Sequence, residues 1–166
     1  MFREMRRKGQ QLSEEESVDI LRKATSGVLS VIGDEGYPYG VPVSFVYHEG
    51  KIYIHSALKG HKIDSIRNHH QVSFCTIVKD EIIPERFTTH FRSVIAFGKA
   101  EILQEEGEKL AAIRMIADKY SPSIETSKRE EEIEKTFAHL CIIVINIEHL
   151  TGKEAIELVN EKKKTI

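Results

Sequence analysis

Residues 27–56 read Gly-Val-Leu-Ser-Val-Ile-Gly-Asp-Glu-Gly-Tyr-Pro-Tyr-Gly-Val-Pro-Val-Ser-Phe-Val-Tyr-His-Glu-Gly-Lys-Ile-Tyr-Ile-His-Ser. Branched and aromatic side chains over 27–32, 39–47 and 51–56 predict three strands. Gly33-Asp-Glu-Gly36 and His48-Glu-Gly50 predict the turns between them. Two tight hairpins in succession make an antiparallel meander, because parallel strands need long crossovers. Pro38 and Pro42 remove two ladder donors, so the middle strand belongs at a sheet edge or beside a bulge.

Upstream, Ser13-Glu-Glu-Glu16 is a capping box, and Val18, Ile20, Leu21 and Ala24 follow at helical spacing, so a helix is expected over about 14–24. Downstream, the pattern predicts a short helix over 61–69 and a strand over 71–78. Residues 80–90, with Pro84 and many polar groups, read as a loop. A long strand over 91–103 follows, bent at Gly98. Leu110, Ile113, Met115, Ile116 and Tyr120 give a helix over 105–119 with one face on the sheet. Pro122 ends it, and a charged helix covers 127–138. Leu140–Ile147 is apolar on both faces and so reads as a central strand. The expected fold is mainly β: a six-stranded antiparallel barrel with flanking helices, in one domain spanning 1–166. Residues 1–12 form a basic lead-in and 158–166 a frayed tail.

The chain has 166 residues, 24 Lys+Arg against 26 Asp+Glu, and a formal net charge of −2. That balance gives no footprint for nucleic acid. With 40% hydrophobic residues it has the material for a real core. No apolar run approaches the ~20 residues that cross a bilayer, and no secretory signal is visible, so a cytoplasmic setting without membrane contact is expected. Cys75 and Cys141 sit in apolar runs and read as small buried hydrophobes. The eight histidines fall into no metal-binding spacing, and His69-His70 diverge by roughly 100° on a helix, so no metal site is assigned.

Chemistry concentrates at Ile54-His-Ser-Ala-Leu-Lys-Gly-His-Lys-Ile63. A strand ends in His55 and Ser56, a loop carries Lys59 and Gly60, and a helix opens at His61 with Lys62 in its first turn. Free N–H groups at a helix start and two lysines suit a phosphate, and Gly60 permits close approach. Alternatively the segment is a solvated turn with two surface lysines. Neither nucleotide motif, the Gly-x-x-x-x-Gly-Lys-Ser/Thr loop or the Gly-x-Gly-x-x-Gly fingerprint, is present. Val41, Pro42, Val43 and Ser44 lie on the Pro-bearing strand, whose unpaired backbone can read the polar rim of a flat heterocycle. Arg92 and Ser93 stand where a loop passes into a long strand, and Arg92 suits a phosphate or carboxylate.

The Gly-Val-Pro-Val-Ser strand, the Ile-His-Ser-Ala-x-x-Gly-His-Lys turn, Phe91-Arg-Ser-Val-Ile-Ala-Phe-Gly-Lys99 and the late Ile-Ile-Val-Ile-Asn-Ile run together resemble the pyridoxamine 5′-phosphate oxidase-like, FMN-binding split-barrel proteins. Their nitroimidazole-resistance branch is the most similar. The resemblance runs over about residues 4–157. It implies a split β-barrel that forms a homodimer, with one flavin in each of two clefts between subunits. By position, Val41, Pro42, Val43 and Ser44 would follow the isoalloxazine ring. His55, Ser56 and Ala57 would lie under the ribityl chain, and Lys59, Gly60, His61 and Lys62 would hold the phosphate. Arg92, Ser93 and Val94 would approach from the next long strand. True pyridoxamine-phosphate oxidases are longer and carry an arginine-rich C-terminal segment for the vitamin's phosphate. Asn160-Glu-Lys-Lys-Lys-Thr-Ile lacks that pattern, which speaks against the vitamin as substrate.

The expected function is an FMN-dependent oxidoreductase, with FAD as the other flavin the site would take. A reduced nicotinamide, NADH or NADPH, would be the donor and a small electron-poor molecule such as a nitroimidazole the acceptor. His61 is the one candidate proton donor. The alternatives are a flavin-binding store or sensor without turnover, and a haem-binding split barrel.

Overall fold

The computed structural model describes residues 2–164. Helix α1 spans Glu14–Lys23 and opens on the expected capping box: Ser13 Oγ accepts Glu16 N–H at 3.1 Å, and Ser13 N–H donates to Glu16 Oε2 at 2.9 Å. Strands β1 (Ser26–Ile32), β2 (Pro38–Ser44), β3 (Val46–His48) and β4 (Lys51–Ala57) follow. Next come α2 (His61–Asn68), β5 (Gln71–Ile83), β6 (Thr88–Ile102), α3 (Glu106–Tyr120), α4 (Thr126–Thr136), β7 (Leu140–Glu154) and α5 (Ile156–Lys164).

The strands form one antiparallel sheet in the order β2-β1-β5-β6-β7-β4-β3. β2 and β3 stand at opposite edges of that order, yet only Phe45 separates them in the chain. The sheet therefore curls until its edges meet at Phe45. They meet without pairing, which makes the barrel a split one. Pro38 and Pro42 lie on the edge strand β2, as their missing donors require, opposite Ile32 and Val28 of β1. β7 lies between β6 and β4, the central position expected of its apolar sequence.

The barrel interior holds Leu29, Val31, Ile52, Ile54, Phe74, Val94, Ala96, Ile143 and Ile145. Each large apolar side chain withdrawn from water contributes about 1.5–3 kcal/mol, so this set drives closure of the sheet. Phe45 is fully buried against Phe74, with the rings 4.6 Å apart and at 62°. A second cluster packs Ala112, Ile113 and Ile116 of α3 and Ile133 of α4 on Leu140 and Ile142, the side of β7 turned away from the barrel interior.

Three expectations fail. The sheet has seven strands, not six, because Phe45 turns inward and divides the expected 39–47 strand into β2 and β3. Residues 80–90 are not a loop: β5 runs to Ile83, a single turn covers Pro84–Arg86, and β6 starts at Thr88. The ladder continues through Ile83↔Thr88, so the polar composition there marks a hairpin arm, exposed at residues 80–82 and covered at Thr88 and His90, where Thr88 bonds Glu157 of α5. The 158–166 tail is not frayed over its described part. Leu158 of α5 is buried, and Lys162 Nζ bridges Glu154 at 2.7 Å and Glu16 at 2.5 Å. Residues 165–166 of that tail, and Met1 of the lead-in, lie outside the described residues. The lead-in itself packs on β7, where Leu12 is buried and its N–H donates to the Gly152 carbonyl. Cys141 is buried as expected, whereas Cys75 is only half-buried on the outer face of β5.

Candidate functional site

The β3–β4 ladder pairs Val46 with Tyr53. Continued backward, it would set Ser44 opposite His55, Val43 opposite Ser56 and Pro42 opposite Ala57. β2 instead leaves β4 and pairs with β1 through Ser26↔Ser44, Gly27↔Val43 and Val28↔Pro42. The two strands thus part at Phe45 and leave a wedge, with 41–44 on one wall and 55–57 on the other. Two of the expected groups come together here for a simple reason: one buried side chain ends one pairing and starts another.

The closed end of the wedge is clamped by α3. The Tyr120 hydroxyl accepts Phe45 N–H at 2.8 Å and donates to the Thr25 carbonyl. Lys119 Nζ donates to the carbonyls of Ala24 and Phe45, the latter at 3.0 Å, and lies 4.4 Å above the Phe45 ring. Burial pushes the Lys119 amine's pKa down. This clamp has no signal in the sequence, where Tyr120 reads only as a core position of its helix.

The open end leads to α2. Gly60 caps that helix at φ +135°, and no side chain bonds the helix start. The Gly60 carbonyl takes the N–H groups of Ile63 and Asp64, at 2.8 and 3.1 Å. The earlier amides of the first turn have no partner within the helix. Among the described residues neither Lys59 nor Lys62 has an acid partner. Ser56 is buried with its Oγ unpartnered. A Cβ built on Gly60 would meet nothing within 4 Å, so the loop is open to a ligand. An orphaned hydroxyl, two unpaired cations and an uncapped helix start are a donor set that fits the phosphate of a flavin nucleotide.

His61 is held differently from the sequence expectation. Its ring stacks on Tyr39, with centroids 4.3 Å apart and planes at 13°. Its Nε2 accepts Asp34 N–H at 3.3 Å, so that nitrogen carries no proton in the neutral ring. His61 therefore fastens α2 to the β1–β2 turn.

Arg92, Ser93 and Val94 do not join the wedge. β6 lies three places from β2 in the sheet, roughly 14 Å at the usual strand spacing. Val94 points into the barrel core. Arg92 donates from Nε and Nη2 to Glu154 Oε2, at 3.1 and 2.7 Å, and Glu154 is almost wholly buried. Ser93 is half-buried, next to an outer face on which Val28, Ile32, Ile77, Ile95 and Phe97 are exposed.

A cavity of about 630 Å³ adjoins the wedge, between the α3–α4 hairpin and β4. His55 and Ala57, which point outward from β4, form part of its wall.

Residues 13–154 match the family model described as pyridoxamine 5′-phosphate oxidase. The chain belongs to that family. Among solved structures it is similar to a candidate 5-nitroimidazole antibiotic resistance protein of Bacteroides thetaiotaomicron, with 20% identity over 87% of this chain and 86% of that one, and a TM-score of 0.73. The flavocytochrome Anf3 of Azotobacter vinelandii matches at 18% identity over 92% and 72%, with a TM-score of 0.72. A FAD-binding protein of Mesorhizobium loti matches at 24% over 88% and 97%, with a TM-score of 0.59. These likenesses establish the shared split-barrel fold. No curated protein matches. Among the described residues no helix is long and apolar enough to cross a membrane.

Proposed function

We propose that this member of the pyridoxamine 5′-phosphate oxidase family binds FMN and uses it to reduce small electron-poor molecules. The observation that carries the reading is the uncapped start of α2 at the mouth of the wedge, with Lys59 and Lys62 unpaired and the Ser56 hydroxyl orphaned. The helix start and the lysines hold the phosphate. The wedge walls at 41–44 and 55–57 lie alongside the ribityl chain and ring. FAD enters the same site if its adenylate stays outside. The similarity to a flavocytochrome and to a FAD-binding protein supports the cofactor class.

When bound, the flavin would supply two-electron transfer from NADH or NADPH to the acceptor; a nitro compound taking two electrons and two protons gives its nitroso product and water. The chain's own residues bind and orient. Lys59 and Lys62 would neutralise the phosphate, and the backbone at 41–44 and 55–57 would line the rest of the cofactor. Because His61 Nε2 accepts the Asp34 N–H, any proton the neutral imidazole gives to the acceptor comes from Nδ1.

Two copies pair through the outer face of β1, β5 and β6. Pro42, Val28, Cys75, Ile95 and Thr151 form one continuous row across five strands there. An exposed apolar patch of this kind marks an interaction surface. In such a dimer Ser93 approaches the flavin of the other copy. Two free thiols agree with a cytoplasmic setting.

Stopped-flow mixing of the FMN-loaded protein with NADH or NADPH tests the enzymatic reading. Reduction well above the rate of free FMN is expected. A rate equal to that of free FMN would leave a flavin-binding store or sensor.

A further inference from the structure

The basic lead-in ahead of α1 has no part in the wedge. It lies along β7 as a strap fastened at both ends. The Phe2 ring stacks on His149, with centroids 4.7 Å apart and planes at 5°. Gln11 bridges to Lys153, Leu12 N–H donates to the Gly152 carbonyl at 3.0 Å, and Gln10 and Leu12 are buried. Arg6 and Arg7 are thereby held beside Lys153, and with Met5 they line a cavity of about 410 Å³. That volume lies within the range of small-molecule sites.

Three cations face this cavity, and no acid is among its lining residues. Among the described residues Arg6, Arg7 and Lys153 have no ion-pair partner. Glu4, the acid nearest in the chain, is bonded to Lys8 at 2.7 Å. The chain as a whole carries −2, so the positive charge here is a local excess. Cations grouped around a cavity repel one another until an anion joins them. Two guanidinium forks and an ammonium suit phosphate oxygens. Arg6 and Arg7 also precede the stretch 13–154 that matches the family, so they are no part of the shared barrel.

On its own copy the cluster is remote from the wedge. Cys141, the partner of Ser56, stands at one end of β7 and Lys153 near the other. Lys153 is instead the ladder partner of Ser93, which the dimer described above brings to the flavin of the other copy. In dinucleotide sites a carboxylate bonds the ribose 2′-hydroxyl of NADH, whereas an arginine accommodates the 2′-phosphate of NADPH. We propose that Arg6, Arg7 and Lys153 bind the phosphate groups of the nicotinamide donor and select NADPH over NADH, the donor's role resting on the flavin reading above.

Calorimetric titration with adenosine 2′,5′-bisphosphate and adenosine 5′-monophosphate, the adenosine ends of NADPH and NADH, tests the site on the FMN-loaded protein. The bisphosphate is expected to bind at least tenfold more tightly. Arg6→Gln, Arg7→Gln and Lys153→Gln should each cut that ratio at least threefold, with FMN affinity within twofold of the parent. Lys128→Gln, which removes an exposed cation from α4, should leave the ratio unchanged. In stopped-flow reduction, the Arg6→Gln/Arg7→Gln variant should lose the advantage of NADPH over NADH. Equal affinity for the two probes, or a ratio the strap variants do not move, overturns the proposal. A ratio cut as deeply by Lys128→Gln overturns it too, because net charge alone then explains the binding. An NADPH advantage retained in the double variant removes the strap from donor selection. A parent chain that takes up no FMN refutes the flavin reading instead. In that case bisphosphate binding lost in the strap variants still establishes the phosphate site, and binding unchanged in them still overturns it.

Discussion

Lys62 sits in the first turn of α2, where a cation is disfavoured by the helix dipole unless an anion joins it. Lys62→Ala should weaken FMN binding by about 1.5–3 kcal/mol, roughly 10- to 150-fold in Kd, the scale of a charge-assisted hydrogen bond. Flavin fluorescence quenching measures it, and an unchanged Kd would remove the phosphate from α2. Gly98 tests the fold at the same scale. A Cβ there would lie 2.2 Å from the Asn146 carbonyl oxygen, beside the register shift between Phe97 and Gly98. Gly98→Ala should cost about 1–3 kcal/mol, read as a lowered Tm with the far-ultraviolet spectrum retained. The lysines, Gly60 and the bend at Gly98 are legible in sequence because each is local: a residue type at a fixed offset from an element's end. Tyr120 on Thr25 and Phe45, and Arg92 on Glu154, are not. Such pairs join positions 62 to 95 residues apart, and no periodicity encodes them.

Helix α5 shows how an element can be missed. Its sequence is short and charged, and isolated helices of this length do not hold in water. It persists because Leu158 is buried and Lys162 ties Glu154 of β7 to Glu16 of α1. The Lys162 ammonium, and then the Ser13 N–H, hold the Glu16 carboxyl below the usual range. A lowered folded-state pKa stabilises the protein above the ordinary carboxylate value and loses that contribution as pH falls through the folded-state value. Lys162→Met should therefore lower Tm near neutrality and flatten its fall below about pH 4.5. The pH-dependent share through Glu16 is small, because Glu16 is mostly exposed and its pair is screened, and the larger loss near neutrality comes from the buried Glu154, which keeps only Arg92. Melting curves across the acid range decide it, and parallel curves for parent and variant would refute the coupling. The arm built by the ends of β5 and β6 was obscured for a different reason. What covers it is α5, through Thr88 on Glu157, and polar residues packed on a distant helix leave no apolar alternation to read.

At the scale of the molecule, the split follows from one arrangement: β2 and β3 are neighbours in the chain and opposite edges of the sheet. The two hairpins, the edge prolines and the central β7 were readable from hydrophobic pattern and turn chemistry, but the continuous meander expected over 27–56 is broken at Phe45 into hairpins at opposite edges. The closure was not, because it depends on which distant strands pair. The outer face of β1, β5 and β6 belongs to this scale as well. Ile95→Lys should convert a dimer to a monomer in sedimentation velocity and weaken flavin retention. A parent chain that is already monomeric, and still holds FMN, would show that one copy completes the site.

The absorption spectrum of the purified protein, with mass spectrometry of whatever heat releases, tests the central claim most directly. Bands near ~375 and ~450 nm accompanied by an FMN mass are the predicted result. A colourless protein that takes up neither added FMN nor added FAD would contradict it and leave the wedge without its ligand.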